Sequence, residues 1–168
     1  MDEQLHRLAK EVGESALQAS VMITTAESCT GGWVAEALTS VAGSSKWFER
    51  GFVTYSNLSK QEMLGVSDET LDQYGAVSEQ TVSEMALGAL RHSHAHLSLA
   101  ISGIAGPGGG VLDKPVGTVC LAWAAVGQAT RSQTVHYAGN REEIRRQAVI
   151  GVLNGMLDLL SDWDIQGE

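Results

Sequence analysis

Cysteine, basic charge and long apolar runs are all scarce in this chain, and each shortage removes a class of function. Cys29 and Cys120 are the two cysteines in 168 residues. Neither has the paired spacing of a zinc site or a redox motif, so two free thiols are expected. Eleven Lys and Arg stand against twenty Asp and Glu, a formal charge of −9. Nucleic-acid binding rests on clustered Lys and Arg, so this balance argues for a small-molecule ligand instead. No run approaches the roughly 18 apolar residues of a membrane span. Met1-Asp2-Glu3-Gln4 opens a polar amphipathic segment without an apolar signal-peptide core, so a cytoplasmic location is expected and no membrane partner.

What is present reads as alternating helices and strands in one domain spanning 1–168, long enough to bury roughly two thirds of the surface of its unfolded chain. Leu5, Leu8, Ala9, Val12, Ala16 and Leu17 recur at helical spacing, which predicts a helix over 2–19. Strands are expected near 21–26, 47–55 and 97–101. Helices are expected from Trp33, near Leu58, from Ser67-Asp68-Glu69 and over 79–92. Gly127 divides two β-rich runs, 117–126 and 128–137, into an antiparallel hairpin, and a helix over 140–161 closes the chain. This order implies an α/β fold, a three-layer α/β/α sandwich with a mixed sheet.

Thr24-Thr25-Ala26-Glu27-Ser28-Cys29-Thr30-Gly31-Gly32 joins the first strand to a helix, and in open α/β sheets ligands bind at that carboxyl edge. Ser28 is a candidate nucleophile, and amides near Thr30, Gly31 and Gly32 are candidates to hold an oxyanion, the two needs of acyl transfer. Ser28 or Thr30 can equally be a helix cap. Cys29 is a rival nucleophile, since a helix N-terminus lowers a thiol's pKa, or a small core residue. Tyr55 and Lys60 converge only if Tyr55 ends a strand and Lys60 lies in the first helical turn. Asn57 as cap supplies that geometry and places Lys60 third in the helix, where the dipole depresses its pKa and suits it as a general base. An exposed tyrosine and a solvated lysine are the plain alternative.

Ser44 and Ser45, before the second strand, are ligand contacts, a second nucleophile or turn formers. The loop Ser102 to Gly110 lacks the P-loop and dinucleotide patterns, but its glycines permit close backbone approach to a ligand. Arg141 and Arg145 lie one turn apart and suit a phosphate or carboxylate; ion pairing with Glu142 and Glu143 is the competing account. His92, His94 and His96 have no acidic or thiol partner at ligand spacing, so no metal and no other cofactor is expected.

The segments Ala26-Glu27-Ser28-Cys29-Thr30-Gly31-Gly32, Gly43-Ser44-Ser45, Val53-Thr54-Tyr55-Ser56-Asn57 with Lys60, Gly75-Ala76-Val77-Ser78, Ser102-Gly103-Ile104-Ala105-Gly106-Pro107 and Lys114-Pro115-Val116-Gly117-Thr118 together resemble the CinA C-terminal domain family, in its stand-alone nicotinamide mononucleotide deamidase form. The resemblance covers nearly the whole chain. It implies hydrolysis of the carboxamide of nicotinamide mononucleotide to nicotinate mononucleotide and ammonia in pyridine-nucleotide salvage, an α/β/α domain and a homodimer. Asn140 departs from an aspartate common in relatives; both residues can cap a helix. Under this resemblance Ser28 is the expected nucleophile, with Lys60 assisted by Tyr55 as base. The substrate-binding set is Thr30, Gly31, Gly32, Ser44, Asn57, Ser102, Gly103, Gly106, Arg141 and Arg145. Attack by Ser45 or by water directly, and a non-catalytic nucleotide-sensing module, remain as alternatives.

Overall fold

The structure, a computed structural model, describes the backbone of residues 2–166 and side chains as far as residue 163. Helix α1 (Glu3–Ala19) is capped by Asp2 and buries Leu5, Ala9, Val12 and Ala16 along one stripe; Ser20, in the left-handed region at φ 58°, ends it. Strand β1 (Ile23–Glu27) follows and is buried at every position. Helix α2 (Trp33–Thr39) and a single 3-10 turn at Ser44–Lys46 lead to β2 (Phe48–Val53). Helices α3 (Asn57–Leu64), α4 (Asp68–Tyr74) and α5 (Glu79–Arg91) precede β3 (Leu97–Gly103). The hairpin β4 (Thr118–Ala125) and β5 (Arg131–His136), then α6 (Arg141–Gln166), complete the chain.

The sheet order is β2-β1-β3-β4-β5. Strands β2, β1 and β3 run parallel, and β4 and β5 are antiparallel additions, so the mixed sheet and three layers are as the alternation of elements implies. Parallel neighbours need helical crossovers, which forces helices onto the sheet faces and buries the central strands on both sides. Strand β4 shows the consequence. Val119, Leu121, Trp123 and Ala125 face α1, α2 and α6, while Cys120, Ala122 and Ala124 face the α3–α5 layer.

The two layers pack differently. Small side chains at Ala100, Ala122 and Ala124 let α5 approach closely, whereas α6 accommodates Trp123, whose indole Nε1 donates to the Val152 carbonyl at 2.9 Å. A Cβ on Gly155 would overlap that indole, so the helix meets the sheet where it has no side chain. Trp47, 1 % exposed, is seated against α1 in the same way: a Cβ on Gly13 would lie 2.6 Å from its ring.

Element boundaries differ from the periodicity at the margins. The second strand stops at Val53, before Tyr55, and β5 starts at Arg131 because a turn with Gln128 N donating to Ala125 O occupies the preceding residues. Helix α6 runs past residue 161 to Gln166. Among the described residues no helix is long and apolar enough to cross a membrane.

The three parallel strands end on one edge at Glu27, Val53 and Gly103, the edge from which β4 leaves at Thr118. Segments 28–32, 54–56 and 104–117 therefore gather there, together with the first turn of α6.

Candidate active site

Glu27 organises the turn that follows β1. Its carboxylate, 1 % exposed, accepts from the Thr30 hydroxyl (2.6 Å) and from the amides of Val34 (2.9 Å) and Ala35 (3.0 Å). The positive end of α2 is thus satisfied internally by an anion of the chain itself. Trp33 N donates to Thr30 O and Gly31 N to Ser28 O. Of the three amides expected to face an oxyanion, Gly31 is therefore committed, while those of Thr30 and Gly32 have no acceptor among the described residues. Gly31 and Gly32, at φ 60° and 107°, make the backbone reversal possible.

Ser28 stands on the opposite side of the pleat from Glu27, and Lys60 of α3 reaches it. Lys60 Nζ is hydrogen-bonded to Ser28 Oγ at 3.0 Å and donates to the Thr54 carbonyl at 3.0 Å. The lysine is 1 % exposed and Ser28 7 %. Burial pushes the Lys60 amine below its ordinary 10.5, against a smaller opposing influence of the Cys29 thiol. Among the described residues no carboxylate pairs with it. The Cys29 thiol is itself pushed up to about 11, chiefly by burial, so it is a packing residue at neutral pH and not a rival thiolate.

The route by which Lys60 arrives corrects the expected one. Ser56, not Asn57, caps α3: its hydroxyl accepts from Ser59 N while Ser59 Oγ accepts from Ser56 N, a capping box. Asn57 is the exposed first helical residue and Lys60 the fourth. Its depressed basicity comes from burial, with no dipole needed. Tyr55 does not converge with Lys60. It is 62 % exposed, and its hydroxyl accepts from Arg141 Nη2 at 3.0 Å.

Ser44 and Ser45 lie elsewhere. The turn Ser44–Lys46 precedes β2, whose first residue pairs with Ile23 at the start of β1. With strands of five and six residues at about 3.3 Å per residue, roughly 15–20 Å of sheet separates that edge from Ser28. Within one chain, Ser45 cannot share a proton with Lys60.

The two arginines also divide. Arg145 donates through Nε to Cys29 O (3.0 Å) and through Nη2 to Thr30 O (3.2 Å), and its guanidinium lies 5.3 Å from the Trp33 ring centroid. It braces the turn. Arg141 donates to Gly106 O at 2.9 Å as well as to Tyr55, tying the glycine loop to the end of β2. Neither pairs with Glu142 or Glu143 among the described residues; Glu143 instead accepts from Asn140 N. Trp33, Arg141, Glu142 and Arg145 line a cavity of about 510 Å³.

Ser102 and Gly103 close β3 directly beside this turn, since Ile101 pairs with Glu27. Gly103 is tight: a Cβ there would lie 2.8 Å from Val119 and 3.2 Å from Cys29 Sγ. Register carries a row of small polar side chains across the same face, from Thr54 and Ser28 to Ser102, Cys120 and Thr134. The row ends at Glu79, whose carboxylate accepts from Ser132 and Thr134 at 2.9 Å each, beside a cavity of about 750 Å³ that also meets Lys114 and His136. Sequence reasoning did not find this cavity, because a strand's alternation does not show which neighbour it pairs with. Nor did it find Thr54; its one signal was position, next to Tyr55.

The histidines serve the fold. His96 Nδ1 accepts from Met22 N, His94 N donates to Glu49, and the His92 carbonyl accepts from Arg50. Among the described residues, no group of three or more His, Cys, Asp or Glu side chains could hold a metal ion.

The fold and this pair define a class: an α/β/α domain with a buried serine and lysine in hydrogen-bond contact at the carboxyl edge of its sheet. The chain belongs to the CinA C-terminal domain family, whose profile matches residues 5–160. It is 52 % identical over 147 residues to the Nicotinamide-nucleotide amidohydrolase PncC of Escherichia coli K12, covering 88 % of this chain and 89 % of that one. The protein of the same name in Pseudomonas putida is 50 % identical over 152 residues, 90 % of this chain and 94 % of that one. Among solved structures, the competence/damage inducible protein CihA of Agrobacterium tumefaciens superposes with a TM-score of 0.91 at 46 % identity, covering 96 % of this chain and 98 % of that one.

Proposed function

We propose that this chain is a nicotinamide-nucleotide amidase, hydrolysing the carboxamide of nicotinamide mononucleotide to nicotinate mononucleotide and ammonia, a step of NAD salvage. The observation that carries the chemistry is the 3.0 Å contact between Ser28 Oγ and a buried Lys60 that has no carboxylate partner among the described residues. Burial favours the neutral amine, and a neutral amine accepts the serine proton. The substrate is taken from the amidohydrolases of the same family, which match this chain over most of its length.

In this mechanism the Ser28 hydroxyl passes its proton to Lys60 as Oγ bonds to the carboxamide carbon. The amides of Thr30 and Gly32, without an acceptor among the described residues, are the donors offered to the oxyanion. Lys60 returns the proton to the amide nitrogen, the carbon–nitrogen bond breaks and ammonia leaves, with the acyl group on Ser28. Lys60 then takes a proton from water, whose oxygen attacks the ester carbon, and gives it back to Oγ as nicotinate mononucleotide departs. Arg141, exposed beside its cavity, is the guanidinium a substrate phosphate can reach, with Gly106 beside it and Asn57 kept as a candidate contact; Tyr55 orients that arginine. The functional unit in this reading is a cytoplasmic homodimer of one amidase domain, without metal and without nucleic-acid or membrane partners.

The test is ammonia release from nicotinamide mononucleotide by purified protein, with and without chelator. Turnover should be indifferent to chelator and fall by about 10³-fold or more in Ser28→Ala. Binding without ammonia release would favour a nucleotide sensor. Full turnover in Ser28→Ala would point to direct attack by water.

A further inference from the structure

Thr54 is fully buried, and its hydroxyl is one of two buried side-chain polar atoms without a hydrogen-bond partner among the described residues. An apolar side chain of the same shape removes such a cost, so an orphan hydroxyl calls for a reason. The other orphan, Thr25 Oγ1, packs against Gly51, whose added Cβ would lie 2.7 Å from it, on the pleat face away from Lys60. Thr54 is placed differently. Its amide donates to Glu27 O at 2.8 Å, continuing the β1–β2 ladder so that Thr54 stands beside Ser28, and its carbonyl accepts from Lys60 Nζ.

A count of protons at Lys60 supplies the reason. A neutral amine has two N–H donors and one lone pair; the ammonium formed when Ser28 gives up its proton has three donors. Lys60 Nζ has two partners, Thr54 O and Ser28 Oγ. In the neutral amine the lone pair takes the Ser28 hydroxyl and one N–H takes Thr54 O, which leaves the second N–H without an acceptor among the described residues. Proton transfer puts the new N–H toward Ser28 Oγ and makes that unpaired N–H the donor of a buried cation, while the residue whose carbonyl already binds Nζ carries a hydroxyl with no partner among the described residues. We propose that Thr54 Oγ1, turning about χ1, accepts this remaining N–H and is a positioning residue that stabilises the Lys60 ammonium.

This rests on the reading of Ser28 and Lys60 given above. The surroundings leave the role to Thr54. Among the described residues the Cys29 thiol bears on Lys60, and less than burial does. Glu27 is turned to α2 and bonded there, Glu84 of α5 holds Ser67 and Thr70, and Arg141 and Arg145 of α6 hold Tyr55 and backbone carbonyls. Glu62, on α3 itself, is exposed.

The sign of the effect follows. Removing an acceptor that binds the ammonium more strongly than the neutral amine makes Lys60 easier to deprotonate, so its titration moves to lower pH, and as a weaker base it accepts the serine proton less readily. Thr54→Val should shift the Lys60 titration, followed by NMR of ε-carbon-labelled lysine, down by about one pH unit and lower kcat about tenfold with little change in KM. The acid limb of the rate profile should move with it. Thr54→Ser should restore both. Thr25→Val is the control, changing neither while raising Tm, and Thr54→Val should not lower Tm. An unshifted Lys60 titration in Thr54→Val overturns the proposal whether or not the protein releases ammonia. A shifted titration in a protein that releases none sustains the assignment to Lys60 and removes the amidase reading alone.

Discussion

Lys60 is costly where it stands. An amine buried without a carboxylate resists protonation, and its ordinary pKa of 10.5 is lowered by that burial. Above pH 10.5 the folded and unfolded chains both carry it neutral and the lysine costs nothing. As pH falls toward its folded pKa, the unfolded chain binds a proton that the folded one resists, and stability is lost until both forms are charged. Lys60→Met should therefore raise Tm at neutral pH by about 2–4 °C, the response to about 1 kcal/mol in a chain of this size, with the gain shrinking as pH rises toward 10.5. The same variant should release no ammonia. A variant neither more stable nor less active would leave Lys60 an ordinary packing residue.

At the scale of elements, the candidate site is assembled by three connections that share one edge, and its precision depends on how α3 seats. Gly88 of α5 faces the C-terminal end of α3, where a Cβ would collide with the Leu64 carbonyl. Alanine in a helix ordinarily gains about 0.5–1 kcal/mol over glycine. Here the clash reverses the sign, and Gly88→Ala should cost about 1–3 kcal/mol by urea denaturation with an unchanged m-value. Because α3 carries Lys60, kcat should also fall by about 10²-fold, the expected effect of a displacement near 1 Å. Wild-type turnover in that variant would show that the pair tolerates movement of α3.

The elements themselves were legible from local chemistry. Leu5, Ala9, Val12 and Ala16 mark α1 by spacing, and the hydroxyl caps at Ser67 and Ser78 place the starts of α4 and α5. The cap of α3 was misassigned by one residue, because Ser56 and Asn57 are both good caps and only the capping box with Ser59 separates them. The turn 28–32 was legible as a candidate site through its glycines, but the commitment of its amides was not. Glu27 caps α2 across seven and eight residues, a contact that no short-range rule anticipates.

Over the whole molecule, α1 and α6 pack side by side, and Asp2 accepts from Arg146 at 2.6 Å and 3.1 Å. The guanidinium bond, with help from the Leu5 amide, holds the Asp2 carboxyl near 2, below its usual 3.8. Its folded pKa is depressed, so the stability it contributes is present above pH 3.8 and is lost as pH falls toward 2. The pair is part-exposed and screened by solvent, which limits it to about 0.5–1 kcal/mol. Asp2→Asn should lower Tm slightly at pH 7, with the difference shrinking as pH falls from 3.8 through 2, as read by calorimetry across that range.

By itself the sequence determined the class of fold, the turn at Ser28 and the pairing of that serine with Lys60 as candidates, because caps, periodicity and glycine punctuation are local properties written into neighbouring residues. Only the tertiary structure decided which candidates meet. Parallel pairing of β1 with β2 sends Ser44 and Ser45 to the far edge, α6 gives Arg141 to Tyr55 and Arg145 to the backbone of the turn, and Thr54 comes to stand beside Ser28. Those outcomes depend on strand direction, register and burial, which join residues far apart in the chain and exist only once the core has closed.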